Sequence, residues 1–164
     1  MSDVRMRRAQ SSDAAVIAAI YNHYIATSTA TFDTIGKTVE EREAWLEQHG
    51  DAHPVLVAER DGVVVGWGAL TPWGVRPGWA HTAEVTVYLA PDATGQGIGA
   101  VVLSALVEAA RVAGHHALLS QIVAENTASL TMTERVGFER VGYLRSVGRK
   151  FDRWIDLVVM ELVL

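Results

Sequence analysis

The chain contains no cysteine, which removes disulfides, thiolate metal sites and a cysteine nucleophile together. Basic clusters are missing too. No run of Lys and Arg is longer than Arg7-Arg8 or Arg149-Lys150, and the 164 residues carry a net charge of −5. That balance argues against a nucleic-acid surface. No apolar stretch approaches the roughly 18 residues that a membrane-spanning helix needs. The start, Met1-Ser2-Asp3-Val4-Arg5, has no apolar segment of leader length. The six histidines show no metal spacing. His115 and His116 are adjacent, so on a strand their rings point to opposite faces. Linkers, low-complexity tracts and internal repeats are likewise absent. The expectation is a cytoplasmic chain forming one domain over 1–164, long enough for a substantial core, with no metal, nucleic-acid or membrane partner.

What is present organises itself around Ala83 to Arg111. Glu84-Val85-Thr86-Val87-Tyr88-Leu89 is a β-branched and aromatic run with strand character. Pro91-Asp92-Ala93 stops it. Thr94-Gly95-Gln96-Gly97-Ile98-Gly99 follows, with three glycines at alternate positions. Ala100 to Ala113 then reads as a helix, with Ile98, Val102, Ala105, Leu106 and Ala109 at helical spacing. A glycine-rich turn opening a helix lets the backbone approach an anion closely and aims unpaired N–H groups at it. The helix dipole adds about 0.3–1 kcal/mol. The turn lacks the Gly-Lys-Ser/Thr ending of a nucleoside-triphosphate loop, and its Gly-x-Gly-x-Gly spacing is not the dinucleotide fingerprint. A plain connection between strand and helix remains the alternative.

Along the chain, Val4–Ala9 reads as a short strand, and Ser11, Ser12 and Asp13 offer caps for a helix bearing Val16, Ile17, Ile20, Tyr21 and Tyr24. Thr27–Gly36 breaks the pattern. Thr38 opens a second helix, with Glu41 three residues on as a capping box and Trp45 and Leu46 as its buried side. Val55–Glu59 and Val63–Leu70 flank Asp61-Gly62, a hairpin signal. Thr71–Trp79 reads as an irregular loop, and Ala117–Val123 as a central strand. Asn126, Thr127 and Ser129 cap a fourth helix ending at Gly137, and Phe138–Leu164 forms two strands about Val147–Arg153. The order β-α-α-β-β-β-α-β-α-β-β predicts an α+β domain, an α/β mixed sheet with antiparallel hairpins and one β-α-β crossover.

The glycine turn resembles the pyrophosphate turn of the GCN5-related N-acetyltransferases, Gln/Arg-x-x-Gly-x-Gly/Ala, here Thr94-x-x-Gly97-x-Gly99 with Thr94 in the leading place. The element order is similar to that acyl-CoA N-acyltransferase (GNAT) fold over essentially the whole chain. Further blocks resemble the phosphinothricin acetyltransferase group within it: Ile20-Tyr21-Asn22-His23, Thr29 to Thr34, the Glu84 strand, Arg76-Pro77-Gly78, Gly137-Phe138 and Val147 to Leu157. The resemblance implies acetyl-CoA as co-substrate. It implies backbone pairing of Val87, Tyr88 and Leu89 with the pantetheine arm, the pyrophosphate at Gly95, Gln96, Gly97, Ile98, Gly99 and Ala100, and a coenzyme contact from Asn126. As a bare residue Asn126 is more often a helix cap than a ligand contact. It also implies that Glu84 is the catalytic base. An amine attacks a thioester only when neutral, and a carboxylate takes its proton, a contribution of typically about 10²–10⁴-fold. Apolar neighbours such as Val85, Val87, Trp73 and Trp79 raise such a group's pKa by desolvation. An exposed carboxylate at a strand start is the plain alternative.

Thr133 stands where the family places a histidine or tyrosine to assist the leaving thiolate. A thiol of pKa about 8.5 leaves tolerably without a strong acid. The acceptor implied is a free amino acid or analogue of the phosphinothricin or methionine sulfoximine type. Phe32, Trp73, Trp79, Val85 and Thr86 are expected around it, and Arg76, Arg149 or Lys150 opposite its carboxylate. Another small amine, a peptide N-terminus, or a coenzyme-binding regulatory module with weak catalysis are the alternatives. Val141–Val147 and Ile155–Leu164 are apolar-rich late strands, from which a homodimer is expected.

Overall fold

The computed structural model describes residues 3–164; Met1 and Ser2, on which part of the leader reading falls, lie outside the described residues. Seven strands form one sheet: β1 (Arg5–Arg8), β2 (Val55–Arg60), β3 (Val63–Pro72), β4 (Thr82–Leu89), β5 (Ala117–Val123), β6 (Glu139–Lys150) and β7 (Arg153–Val163). Four α-helices cover it: α1 (Ala14–Thr27), α2 (Val39–Glu47), α3 (Ile98–Val112) and α4 (Thr127–Val136). Their order along the chain is the expected one. No helix among the described residues is long and apolar enough to cross a membrane.

Local sequence accounts for most element ends. Thr38 accepts from the Glu41 N–H at 3.1 Å while the Glu41 carboxylate takes the Thr38 N–H at 2.7 Å, so the capping box forms in both directions. Asp61 and Gly62 have φ of 52° and 79°, the left-handed pair that a two-residue hairpin needs. The second hairpin turns on Phe151 and Asp152, φ 51° and 57°, without a glycine. α3 starts two residues before the expected Ala100 because Ile98 is itself a core residue. Its buried stripe is Ile98, Val102, Leu103, Leu106, Val107 and Ala110, and it packs with α4 on one face of the sheet. On the other face α1 and α2 cover Val55, Val57, Trp67 and Ala69.

The sheet runs β1-β2-β3-β4-β5-β7-β6, antiparallel except where β4 meets β5. That parallel junction is the product of the β4-α3-β5 crossover. One expectation changes. β7, which holds Ile155 to Val163 of that stretch, is inserted between β5 and β6, and its Ile155, Leu157, Val158 and Met160 are buried. It completes the monomer's core and offers no free edge. The outer strand is β6, where Val141, Tyr143, Leu144 and Val147 are exposed.

At the opposite edge a charged cluster ties β1 to the first helical turn and to β2. Arg7 donates to both oxygens of the buried Asp13 carboxylate at 2.8 and 3.0 Å and to Glu59 at 2.9 Å; Asp13 also accepts the Gln10 N–H at 2.7 Å. The Arg7 guanidinium holds the Asp13 carboxyl below its usual range. A depressed carboxyl pKa stabilises the fold above the unfolded value and ceases to do so as pH falls through the folded one. Asp13→Asn should therefore cost about 1–3 kcal/mol at pH 7, or about 2–12 °C in melting temperature. Calorimetry should show the difference closing as pH drops below about 4.

Candidate active site

The site begins where two strands stop pairing. β4 and β5 are joined only at Thr82–Ala117, Ala83–Leu118 and Glu84–Leu119, whereas β4 stays paired to β3 as far as Leu89. Beyond Glu84 the two strands part. Residues of both arms of the fork, Val85 to Leu89 and Ser120 to Val123, line a cavity of about 670 Å³. Antiparallel pairing with β3 fixes which backbone groups face the gap. Trp73 N donates to Thr82 O at 3.3 Å and Ala90 N to Val65 O at 2.8 Å. By alternation Thr86 and Tyr88 bond to β3, and Val85, Val87 and Leu89 turn their N–H and C=O groups toward the gap. The Leu89 carbonyl there accepts the Tyr24 hydroxyl at 2.7 Å. A free strand edge facing a cavity is a site for strand-like addition of an extended ligand.

The far end of the cavity is the glycine turn. Gly95 and Gly97 have φ of 73° and 79°, and Gly97 caps α3 with no side chain bonding the helix N–H groups. First-turn N–H groups are thus left toward the cavity, as an anion requires. Gly99 serves packing: a Cβ there would lie 2.6 Å from Met132 Sδ of α4. Gly95, Gly97, Gly99 and Ala100 line the cavity, but Gln96 and Ile98 do not. Gln96 braces the turn from outside, donating to Asp92 O at 2.7 Å and accepting from Arg60 at 2.5 Å. Ile98 is core. Only their backbone is available to a ligand. Thr94, in the family's Arg or Gln place, also lines the cavity and donates to Pro91 O at 2.9 Å.

α4 forms the third wall. Asn126 caps it, accepting the Ser129 N–H at 3.2 Å, and its carboxamide N–H groups have no protein partner among the described residues. Cap and ligand contact are therefore compatible roles. Thr133 lies on the wall, buried. Sequence reasoning missed Tyr24 and Ala30, which reach this cavity from α1 and the loop after it, and Arg135 on α4. Nothing in their local pattern signals it, because the contact is made across the fold.

Side-chain alternation puts Glu84, Thr86 and Tyr88 on the α1/α2 side, opposite Ala83 and Val85. Glu84 is the last residue paired before the fork, half-buried, and desolvation raises its pKa while a hydrogen bond from Gln121 works against that shift. Beside it lies an aromatic nest: Tyr88 is 5.0 Å from Tyr21, 5.1 Å from Trp67 and 5.5 Å from Tyr24, ring centre to ring centre. Burial pushes Tyr21 up to about 12 and Tyr88 higher, so both stay protonated. Arg42 stacks on Tyr21 and Trp45 at 4.7 Å each.

The expected acceptor-site residues divide. Val85 and Thr86 line the cavity; Phe32, Trp73, Arg76 and Lys150 do not. The Phe32 ring lies on Gly148, where a Cβ would be 2.3 Å from it. Trp73 sits half-buried at the end of β3, while Trp79 is 44% exposed and packs over Gly74. Arg76 is exposed with no ion pair among the described residues, and Arg149 pairs with Asp152 at 3.5 Å and stacks on Trp154. Lys150 requires a correction. It is 5% exposed, and its ammonium donates to the backbone oxygens of Ser28 at 2.7 Å, Thr31 at 2.8 Å and Tyr24 at 3.4 Å. All three of its protons are engaged, so it has none for an acceptor carboxylate.

A forked parallel junction, a free strand edge, a glycine turn at a helix start and a desolvated carboxylate at the vertex define a coenzyme-A-type acyltransferase site. Residues 6–159 match the acetyltransferase (GNAT) domain family, and the chain belongs to it. It is 39% identical to the L-amino acid N-acyltransferase MnaT of Escherichia coli over 160 residues, 97% of this chain and 93% of that one. It is 39% identical to the phosphinothricin N-acetyltransferase of Alcaligenes faecalis over 158 residues, 95% of this chain and 80% of that one. The structure of Salmonella typhimurium yncA with its cofactor acetyl-CoA superposes with a TM-score of 0.95 at 35% identity, covering 98% of this chain and 94% of that one.

Gly62 and Gly97 share φ +79°, and a Cβ at either meets nothing within 4 Å. Alanine at each therefore adds the same backbone strain, about 1–2 kcal/mol. Gly97→Ala should weaken acetyl-CoA binding at least about tenfold, and Gly62→Ala should leave it unchanged at a similar loss of stability. Equal affinities in a fluorescence titration of the two variants would remove the turn from the coenzyme site.

Proposed function

We propose that this chain transfers an acetyl group from acetyl-CoA to the amino group of a small amino acid or analogue, of the phosphinothricin or methionine sulfoximine type. The observation that carries the reading is the placement of Glu84. It lies at the vertex of the fork, with the coenzyme cleft on one side and the aromatic nest on the other. The relatives' named activities support the acceptor class.

Bound in the cleft, acetyl-CoA would supply an acetyl thioester whose carbonyl carbon becomes the amide carbon as its bond to sulfur breaks, the sulfur leaving as the thiol with the second proton that the attacking nitrogen gives up. The chain's own groups do the rest. First-turn N–H groups of α3 hold the pyrophosphate, and the backbone of Val85 and Val87 aligns the pantetheine arm. Glu84 takes a proton from the acceptor's ammonium and leaves the nitrogen lone pair free. Its raised pKa brings it nearer the operating pH, which suits a base. Thr133 offers a hydroxyl hydrogen bond to the departing sulfur. Phe32 and Trp73 wall the acceptor, and Arg76, exposed and without an ion pair among the described residues, pairs its carboxylate. A second copy covers β6, a twelve-residue edge carrying Val141, Leu144 and Val147, whereas β1 at the other edge is four residues of polar character. Acetyl-CoA is a coenzyme of the cell interior, which supports a cytoplasmic location.

Thiol release on mixing with acetyl-CoA and a panel of amino acids, simple amines and a peptide tests the acceptor. Release with the amino acids is expected; release with only amines or the peptide, or none at all, would overturn it. For the base, Glu84→Gln should lower kcat by about 10²–10⁴-fold near neutrality with coenzyme affinity kept, and the deficit should shrink at alkaline pH. A raised folded-state carboxyl pKa costs stability as pH rises through it, so the same variant should melt no lower than the parent at pH 7. For the dimer, light scattering at micromolar concentration should return twice the 17.8 kDa chain mass, falling to one chain in Val147→Glu.

A further inference from the structure

Lys37 and Lys150 are the only lysines; every other cationic side chain is an arginine. At position 150 the difference matters. Three backbone carbonyls converge there on one point, which suits a compact ammonium with three donors and not a planar fork. Two of those carbonyls end α1: Tyr24 O accepts the Ser28 N–H, and Ser28 is the cap residue. α1 has no basic residue in its own last turn. Lys150 supplies that charge from 122 residues away, where it also meets the negative end of the helix dipole. The third carbonyl, Thr31 O, belongs to the loop that follows.

A second clamp lies on the same loop. Thr29 donates to the Glu125 carboxylate at 2.5 Å, and Arg153 holds both oxygens of that carboxylate at 2.8 and 2.6 Å. These partners pull the Glu125 carboxyl down to about 2, Arg153 first and Thr29 second. Lys150 and Arg153 stand opposite each other where β6 turns into β7. The loop between α1 and α2 is thus fastened twice to one hairpin. Between the clamps its residues reach both halves of the site. Ala30 lines the coenzyme cavity and its carbonyl lies 3.4 Å from the Tyr88 hydroxyl; Phe32 rests on Gly148 of β6.

We infer that Lys150 is a positioning residue for the acceptor loop, acting through the backbone of residues 28–31 and touching neither substrate. The kinetic half of this inference rests on the activity proposed above; the structural half does not. With the Lys150 charge removed, Ala30 and Phe32 lose their fixed distance from the fork, and acceptor affinity falls more than the rate of the bound complex.

Lys150→Met removes the donors and keeps the length. It should raise the acceptor KM about tenfold while kcat changes less than about threefold. The loss should be equal for an amino-acid acceptor and its carboxamide, because no contact with the carboxylate is broken. Hydrogen exchange, which needs no activity, should show protection of the amides of residues 28–33 falling at least about tenfold with β5 and α3 unchanged. Thr29→Val opens only the second clamp and should give a smaller change of the same kind; it carries the test if Lys150→Met does not fold. Loss confined to the carboxylate-bearing acceptor would make Lys150 a substrate ligand and overturn the inference. So would unchanged exchange in the loop. If thiol release fails with every acceptor while loop exchange rises as stated, the activity is wrong and the positioning role stands.

Discussion

The separation of β4 from β5 after Glu84 and Leu119 is the constraint on which this molecule depends. A sheet that stayed paired would have no cavity at its centre and no free backbone edge within it. The junction is parallel because α3 carries the chain back across the sheet, and α3 itself starts in the glycine turn that closes the cavity. One crossover therefore makes the fork, frees the edge of β4 and delivers unpaired N–H groups to the cavity's end. Small residues are required where the walls approach. Gly68 admits the Thr86 carbonyl and the Leu106 and Val102 side chains, each of which a Cβ would approach within 3 Å.

The fork also divides the chemistry between the two faces of the sheet. α3 and α4 border the cleft with backbone amides, Asn126 and small residues, surroundings suited to an extended anionic coenzyme. On the other face α1 and α2 bring aromatic rings and one stacked guanidinium, and there Glu84 is partly withdrawn from water. Two kinds of charge placement follow. Glu84 is left under-solvated with a single opposing hydrogen bond, which suits the role of base proposed for it. Lys150 is buried but fully bonded to carbonyls, which makes it a brace. Burial alone does not separate these roles. The count of available partners does.

The same reasoning separates the two edges of the sheet. β1 is short, and its Arg7 is drawn inward to Asp13 and Glu59. β6 is long, bulged at Ser146 where Asp156 accepts the backbone N–H at 2.7 Å, and exposes Val141, Tyr143, Leu144 and Val147 among charged residues. The proposed second copy is assigned to the longer edge for that reason.

Local chemistry was legible in the sequence. The capping box at Thr38 and Glu41, the Asp61-Gly62 hairpin, the Asn126 cap and the glycine turn depend on contacts spanning a few residues, and each formed as written there; the strand Ala117–Val123 was legible from its apolar run alone, though its partners lie far along the chain. Glu84 was legible as a candidate base through its motif, and its place at the strand's start fixed which face it shares with Tyr88. What the tertiary structure alone decided were contacts across long stretches of chain. The insertion of β7 between β5 and β6 took Ile155–Leu164 out of the expected edge and left only Val141–Val147 of β6 there, because strand order is set by packing and not by strand propensity. Gln96 and Ile98 turned away from the cavity because a helix start has an inside and an outside. Tyr24 and Ala30 entered it from α1 and the loop after it. Lys150, chemically suited to an acceptor carboxylate, met three carbonyls first: an ammonium goes to whatever oxygens the fold converges upon, and that convergence exists only once α1 and the last hairpin have come together.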